Sequence, residues 1–385
     1  MPTAMNHPLQ GLLVLEFCQY LSGPSASLRL ADLGARVIKI ENPKGGDGCR
    51  RLAIKNLWVD DNSLLFHTIN RNKESFTANL KSPEDVAVVH QLIQKADVLI
   101  HNFRPGVMEK IGLDYAAAQQ LNPRLVYAEI SGYGTEGPWK DKPGQDLLLQ
   151  AMSGLAHTTG NADDPPVPFG LAIADILCGA QLVQGVLAAL IRRHKTGTGA
   201  RIELSMLESL LDFQFELLTT YYASGQLPQR SALSNGHTLL GAPYGLHATA
   251  DGYLAVAMVP LQKLAEVLES EALQAFSQEE AFRRRDDIKR TLAAHLKQRP
   301  SAFWMEKFRA ADLWAVEVLD WQQLAEHAGF LALDMVQTLQ AAGRDIRTTR
   351  CPIRFNGHTL TSDRPAPALG GDRDRILQEL NTPPN

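Results

Sequence analysis

Along the first third of the chain, apolar positions come in short bursts, separated by stretches where they recur every three or four residues. Residues 12–17 and 36–41 read as strands and 25–33 as a helix between them. Residues 74–80 then alternate apolar and polar positions, 84–95 are amphipathic, and 98–102 form a buried strand. Helical pieces occupy 108–120, and 125–130 give another strand. Such switching between periods of two and 3.6 predicts an α/β fold, a mostly parallel sheet with helices on both faces. Between Ser131 and Pro168 the texture changes: glycines and prolines leave one short helix near 146–153. Loops of that length generally carry function. A long helix over about 176–194 and another through 206–224 follow. Beyond them lie a polar linker (225–243), a small β meander (244–259) and a helical stretch (261–339). Trp304, Trp314 and Trp321 are the expected core anchors of that stretch, and a last helix falls at 372–380.

At 385 residues the chain exceeds what one core usually supports. The expected domains are residues 1–224, a smaller α+β domain at 225–330, and a segment at 331–385 returning to the first. With 38 basic and 42 acidic residues the charge is −4, which gives no reason to expect nucleic acid or an anionic membrane as partner. Cys18, Cys49, Cys178 and Cys351 are far apart, without metal-ligand spacing, and no metal is expected. They read as reduced thiols. The opening MPTAMNHPLQG shows no basic stretch before an apolar run, so no signal peptide is expected. The apolar stretch 171–191 is broken by Asp175, Gln181 and Gln184 and reads as a buried helix. A cytoplasmic protein is the expectation.

Strand, turn, helix and a strand ending in Glu41 outline a dinucleotide-binding unit. The turn, Gln19-Tyr20-Leu21-Ser22-Gly23-Pro24, holds one glycine where that fingerprint needs three. A nicotinamide-dependent oxidoreductase is therefore disfavoured. The loop at the end of the strand remains the place where such sheets bind ligands.

A longer series of motifs says more. Gly34-Ala35-Arg36-Val37-Ile38-Lys39-Ile40-Glu41 leads to Gly45-Gly46-Asp47 and Asn70-Arg71-Asn72-Lys73. Asn102-Phe103-Arg104-Pro105-Gly106, Asn122-Pro123-Arg124-Leu125-Val126-Tyr127 and Ser131-Gly132-Tyr133-Gly134 come next. Gln150-Ala151-Met152-Ser153-Gly154 and Ala174-Asp175 complete the series. In this order, from about residue 10 to 210, the chain resembles the class III coenzyme A-transferases, a family that also contains 2-methylacyl-CoA racemases. The resemblance implies a large Rossmann-like domain joined to a small one, in an intertwined homodimer. It also implies coenzyme A and acyl-CoA as substrates, a carboxylic acid as acceptor, and no permanently bound cofactor.

Asp175, at the start of an apolar helix, reads from its position alone as an N-cap. The resemblance places it on the family's nucleophilic aspartate, and a helix N-terminus would favour its ionised form. At the Gln145 position the racemases carry a histidine; an amide exchanges no proton at neutral pH, which favours transferase over racemase or epimerase. Gln145 otherwise reads as a helix-start hydrogen bonder. Asp146 reads as orienting substrate, tuning Asp175 or capping its own helix. By the same resemblance, Leu21 and Ser22 lie near the thioester, while Asn42, Ala78, Leu80, Lys81, Asn102, Phe103, Arg104 and Lys110 flank the nucleotide, with Arg71 and Lys73 as further phosphate contacts. His237, Leu240 and Gly241 are expected near substrate; His157 and His247 are expected to be structural. Three departures matter: leucine replaces a glutamine at 21, asparagine replaces an arginine at 42, and Leu239-Leu240-Gly241-Ala242 is bulkier than the family's glycine loop. They point away from formate and oxalate, toward a larger or more apolar acyl group.

Overall fold

The computed structural model describes residues 7–382. These divide into two compact units. The first takes the chain up to Leu149, Ala172–Asp212, and everything from Asp334 onward; the second takes Gln150–Leu171 and Phe213–Leu333. The expected boundaries at 224 and 330 thus stand beside divisions at 212 and 333, and residues 150–171 group with the second unit.

The first unit is built on six parallel strands: β1 (Leu13–Phe17), β2 (Arg36–Glu41), β3 (Glu74–Thr77), β4 (Val98–His101), β5 (Val126–Ser131) and β6 (Ala200–Ser205). Their order is β3-β2-β1-β4-β5-β6, the doubly wound order in which connections leave β1 and β4 in opposite directions. Strands buried on both faces need continuous apolar runs. Leu15, flanked by Ile38 and Leu99 in register, supplies the middle of one. The crevice beyond the carboxyl ends of β1 and β4 is where this topology opens for a ligand.

Three helices matter for the site: α1 (Ser22–Asp32), α2 (Asp146–Met152) and α3 (Ile173–Thr196). Helix α3 runs 24 residues and is long and apolar enough to cross a membrane. It packs on α1, β5 and β6 through Ala174, Cys178, Leu182 and Val186. Gly179 permits the crossing with α1, because a Cβ there would stand 2.2 Å from Ser25 Oγ and 2.7 Å from the Ser22 carbonyl oxygen.

In the second unit, helices including Arg285–Leu296 and Ser301–Ala310 pack with a three-stranded antiparallel sheet around Leu254, Leu292, Trp304 and Phe308. Three expectations are corrected. Trp314 and Trp321 are 66% and 84% exposed, so only Trp304 anchors the core. The helix through 206–224 breaks at Gln214 into Met206–Phe213 and Phe215–Ser224. The stretch expected to be helical as far as 339 is interrupted by a strand at Ala315–Glu317 and ends in the hairpin Val336–Ala341 and Arg344–Thr349. There alternate residues are buried, which is the strand period.

Candidate functional site

The site is assembled where the loops after β1 and β4 meet. The Asn102 side chain binds both backbone groups of Gln19: its Oδ1 accepts the Gln19 amide at 2.9 Å and its Nδ2 donates to the Gln19 carbonyl at 2.8 Å. That pairing fixes which end of the amide is nitrogen. Nδ2 also donates to Ser22 Oγ at 3.2 Å. Ser22 opens α1, and its backbone amide and hydroxyl lie beside the Asp175 carboxyl in the same cavity wall, where both favour the ionised form. The carboxyl is therefore held at the amino end of a neighbouring helix, where a free N–H is available.

Asp175 does not cap its own helix. Ala172 stands at the N-cap of α3, and the free amides of Ala174 and Asp175 are bound by Asp146 Oδ2 at 2.7 and 3.2 Å. Asp146 thus caps α3, although it opens α2. The expectation that a helix terminus holds Asp175 ionised is also corrected. Burial first, and the Asp146 carboxylate second, push the Asp175 carboxyl up to about 7, and the Ser22 hydrogen bonds offset only part of this.

A cavity of about 550 Å³ opens onto Asp175, and Ser22, Asn102, Phe103, Arg104 and Gln145 line it. Its far wall is the loop after β5, carrying Lys140 and Lys142. The loop closes because Gly132 and Gly144 touch at its base: a Cβ on Gly132 would lie 2.7 Å from the Gly144 Cα. A second cavity of about 470 Å³ shares Gln19, Phe103 and Val107 with the first. Ile40, Leu80, Phe103 and Ile111 give it apolar walls, Ala78 and Asn42 complete them, and Lys44 and Lys81 supply cations. Together they make a trough with an apolar, cation-edged end and a carboxyl end.

Several expected contacts lie elsewhere. Leu21 packs against Cys49, Phe66 and Ile69 and lines neither cavity. Arg71 is buried in an ion pair with Asp32, and Lys73 is fully buried on Glu16, so neither reaches a phosphate. Lys110 is exposed and lines neither cavity. His237, Leu240 and Gly241 belong to the second unit. There His237 lines a separate cavity of about 430 Å³. Its Nδ1 accepts the Leu239 amide at 3.1 Å, which leaves Nε2 as the protonated nitrogen, donating to Glu216 at 2.9 Å. Gly241 is pressed against Ala281, and the Ala242 amide bonds the Ala281 carbonyl at 2.8 Å, so this loop is pinned. His247 is fully buried, with Nε2 2.8 Å from the Pro243 carbonyl oxygen.

Sequence reasoning missed Tyr20, Lys140 and Lys142. Tyr20 lines the Asp175 cavity at φ 63°, a left-handed backbone uncommon for a side chain of its size. The glycine- and proline-rich stretch that marked 131–168 as functional was the available signal for the two lysines.

Residues 9–373 match the family model described as CoA-transferase family III. The chain belongs to CoA-transferase family III. It is 32% identical to an acetyl-CoA:oxalate CoA-transferase of Acetobacter aceti, over 99% of this chain and 98% of that one. It is 33% identical to a succinate–glutarate CoA-transferase of Agrobacterium fabrum, covering 97% and 96%. Among solved structures, a CAIB/BAIF family protein from Brucella suis superposes with a TM-score of 0.86 at 31% identity, covering 98% of this chain and 100% of that one. In this chain the parallel sheet and the cavity at its carboxyl edge lie within one unit.

Proposed function

We propose that this family III member moves coenzyme A between an acyl-CoA and a carboxylic acid, using Asp175 as the covalent carrier. The observation that carries the reading is the Asp175 carboxyl facing a cavity with donors from Ser22 behind it. The ionised carboxylate attacks the thioester carbonyl; the C–S bond breaks, leaving an acyl-aspartyl anhydride and coenzyme A thiolate. The thiolate attacks the aspartyl carbonyl, releasing the first acid and forming an aspartyl thioester. The acceptor carboxylate then attacks that thioester, and the thiolate returns to the new acyl carbon. The cycle leaves Asp175 free and consumes no net proton. Each addition puts negative charge on a carbonyl oxygen, which nearby backbone N–H groups would stabilise.

The nucleotide would occupy the second cavity, with Lys44 and Lys81 toward its phosphates. Arg104, Lys140 and Lys142 beside Asp175 support an acid that bears its own charge, in keeping with the glutarate and succinate named for a relative. A homodimer is part of this reading. Its support is an exposed stripe on α3 at helical spacing, Ile176, Ala180, Gln184, Ala188 and Ile191.

A second reading, isomerisation at the acyl α-carbon, is favoured by one observation: a carboxyl near 7 suits proton exchange. Gln145 and the fully engaged His237 supply no partner base. Incubation with a panel of acyl-CoAs, trapping with hydroxylamine and mass spectrometry test the two. A hydroxamate on Asp175 supports transfer. No adduct with any thioester, together with α-deuterium uptake from heavy water without acceptor acid, would sink it in favour of isomerisation.

A further inference from the structure

Beneath the turn after β1 lies a cluster of charges with no exposure at all. Lys39 pairs with Glu16 at 2.7 Å and with Asp47 at 2.8 Å, and Lys73 pairs with Glu16 at 2.9 Å. Burial works against the Glu16 charge, yet attraction from both lysines outweighs it and holds the carboxyl down to about 2. Burying ions costs several kcal/mol each before pairing, and apolar residues of the same volume often serve stability as well. The cluster's contacts with the backbone show a different use. Lys39 Nζ donates to the Cys18 carbonyl at 2.8 Å, and Lys73 Nζ donates to the Pro24 carbonyl at 3.0 Å. Asp47 Oδ1 accepts the Tyr20 amide at 3.0 Å. These three grips flank Ser22 on both sides.

We propose that Glu16, Lys39 and Lys73 are positioning residues: they clamp the backbone around Ser22 and so hold its amide and hydroxyl on Asp175. The inference rests on the reading of Asp175 as the reacting group. It explains why charges are spent where no ligand reaches them, and why the tyrosine at 20 adopts a left-handed backbone. Among the described residues, no ion pair joins the cluster to Arg104, Lys140 or Lys142 around the cavity, so altering the cluster leaves those charges in place.

The decisive variant is the charge-balanced pair Glu16→Gln with Lys73→Met, which removes the Lys73 donor from the Pro24 carbonyl and leaves Lys39 on Asp47. Lys73→Met alone is its companion, should the pair not fold. The expected result is a folded protein whose kcat falls about 10- to 100-fold while KM for acyl-CoA stays within about threefold. The pH inflection of Asp175 should rise by about half a unit or more, because the Ser22 donors that favour the carboxylate are loosened. Unchanged kcat and inflection in a folded variant would overturn the proposal. So would a loss of kcat with a proportionate rise in KM and an unmoved inflection. The inflection is also read without substrate, from the pH dependence of the melting-temperature difference between each background and its Asp175→Asn form. Wild-type protein that forms no adduct would remove the covalent reading, while this substrate-free measurement would still decide the clamp.

Discussion

Asp175 and His237 both line cavities, one in each unit, and both sit beside an acidic residue. Their surroundings assign them opposite uses. Asp175 is held from one side by Ser22, leaving the carboxyl open to the cavity, with its proton affinity raised into the neutral range. His237 has one ring nitrogen on a backbone amide and the other on Glu216. A titratable side chain in a cavity is chemically available only if a lone pair is left over, and only Asp175 meets that condition.

The largest effect expected from breaking this contrast is Asp175→Asn: transfer should fall at least about 10³-fold and the hydroxamate should disappear. His237→Gln, measured beside it, should stay within about threefold; a loss comparable to the first would show that the contrast is misjudged. Next comes Gly179→Ala. Its methyl group would meet Ser25 and the Ser22 carbonyl, parting α3 from α1 one turn beyond Asp175. A kcat loss of about 10- to 100-fold is expected, with a lower melting temperature, since misplacement on the ångström scale costs that much. Full activity in this variant would show that the crossing does not set the carboxyl.

A pH series sharpens the same point. On the proposed transfer, in which the ionised form attacks, kcat/KM for acyl-CoA should rise about tenfold per pH unit below about 7 and level off above it. Asp146→Asn keeps an oxygen for the α3 amides but removes the like charge, so the inflection should move down; an unmoved inflection would leave burial as the whole cause. The smallest effect is on stability. Asp175 has its folded value raised from 3.8 to about 7, so the fold favours its protonated form. Wild type therefore loses stability as pH rises from about 4 to 7, and above that range Asp175→Asn should be the more stable by about 1–4 kcal/mol. Thermal melts at pH 4 and pH 8 check this: equal melting temperatures at both would contradict it.

The sheet was largely legible in the sequence because strands buried on both faces leave apolar runs that nothing else in the chain imitates. Asp175, Ser22 and Asn102 could be named from the motif series, but not their linkage, which depends on loops some 80 residues apart meeting after β1 and β4. Arg71 and Lys73 show the limit from the other side. A cation just outside a strand looks the same in sequence whether it faces a phosphate or a buried carboxylate, and only burial separates the two. Tyr20 was hidden for a related reason: its amide is held by the Asp47 side chain, 27 residues away. The hairpin at 336–349 was misread because its alternation follows directly on the helices of Trp321–Leu333.

Gly132 and Gly144 meet at the neck of the loop that bears Lys140 and Lys142. A loop pinched in this way transmits little of its own length or sequence to the strand before it and the helix after it. The segment between the two glycines can therefore be regarded as an exchangeable cassette, free to be lengthened, shortened or recharged while Asp175 and the sheet stay where they are. Relatives named for different acids would find in such a neck a place to vary, and grafting loops at these two glycines is the natural first step in testing which acid the proposed transfer takes.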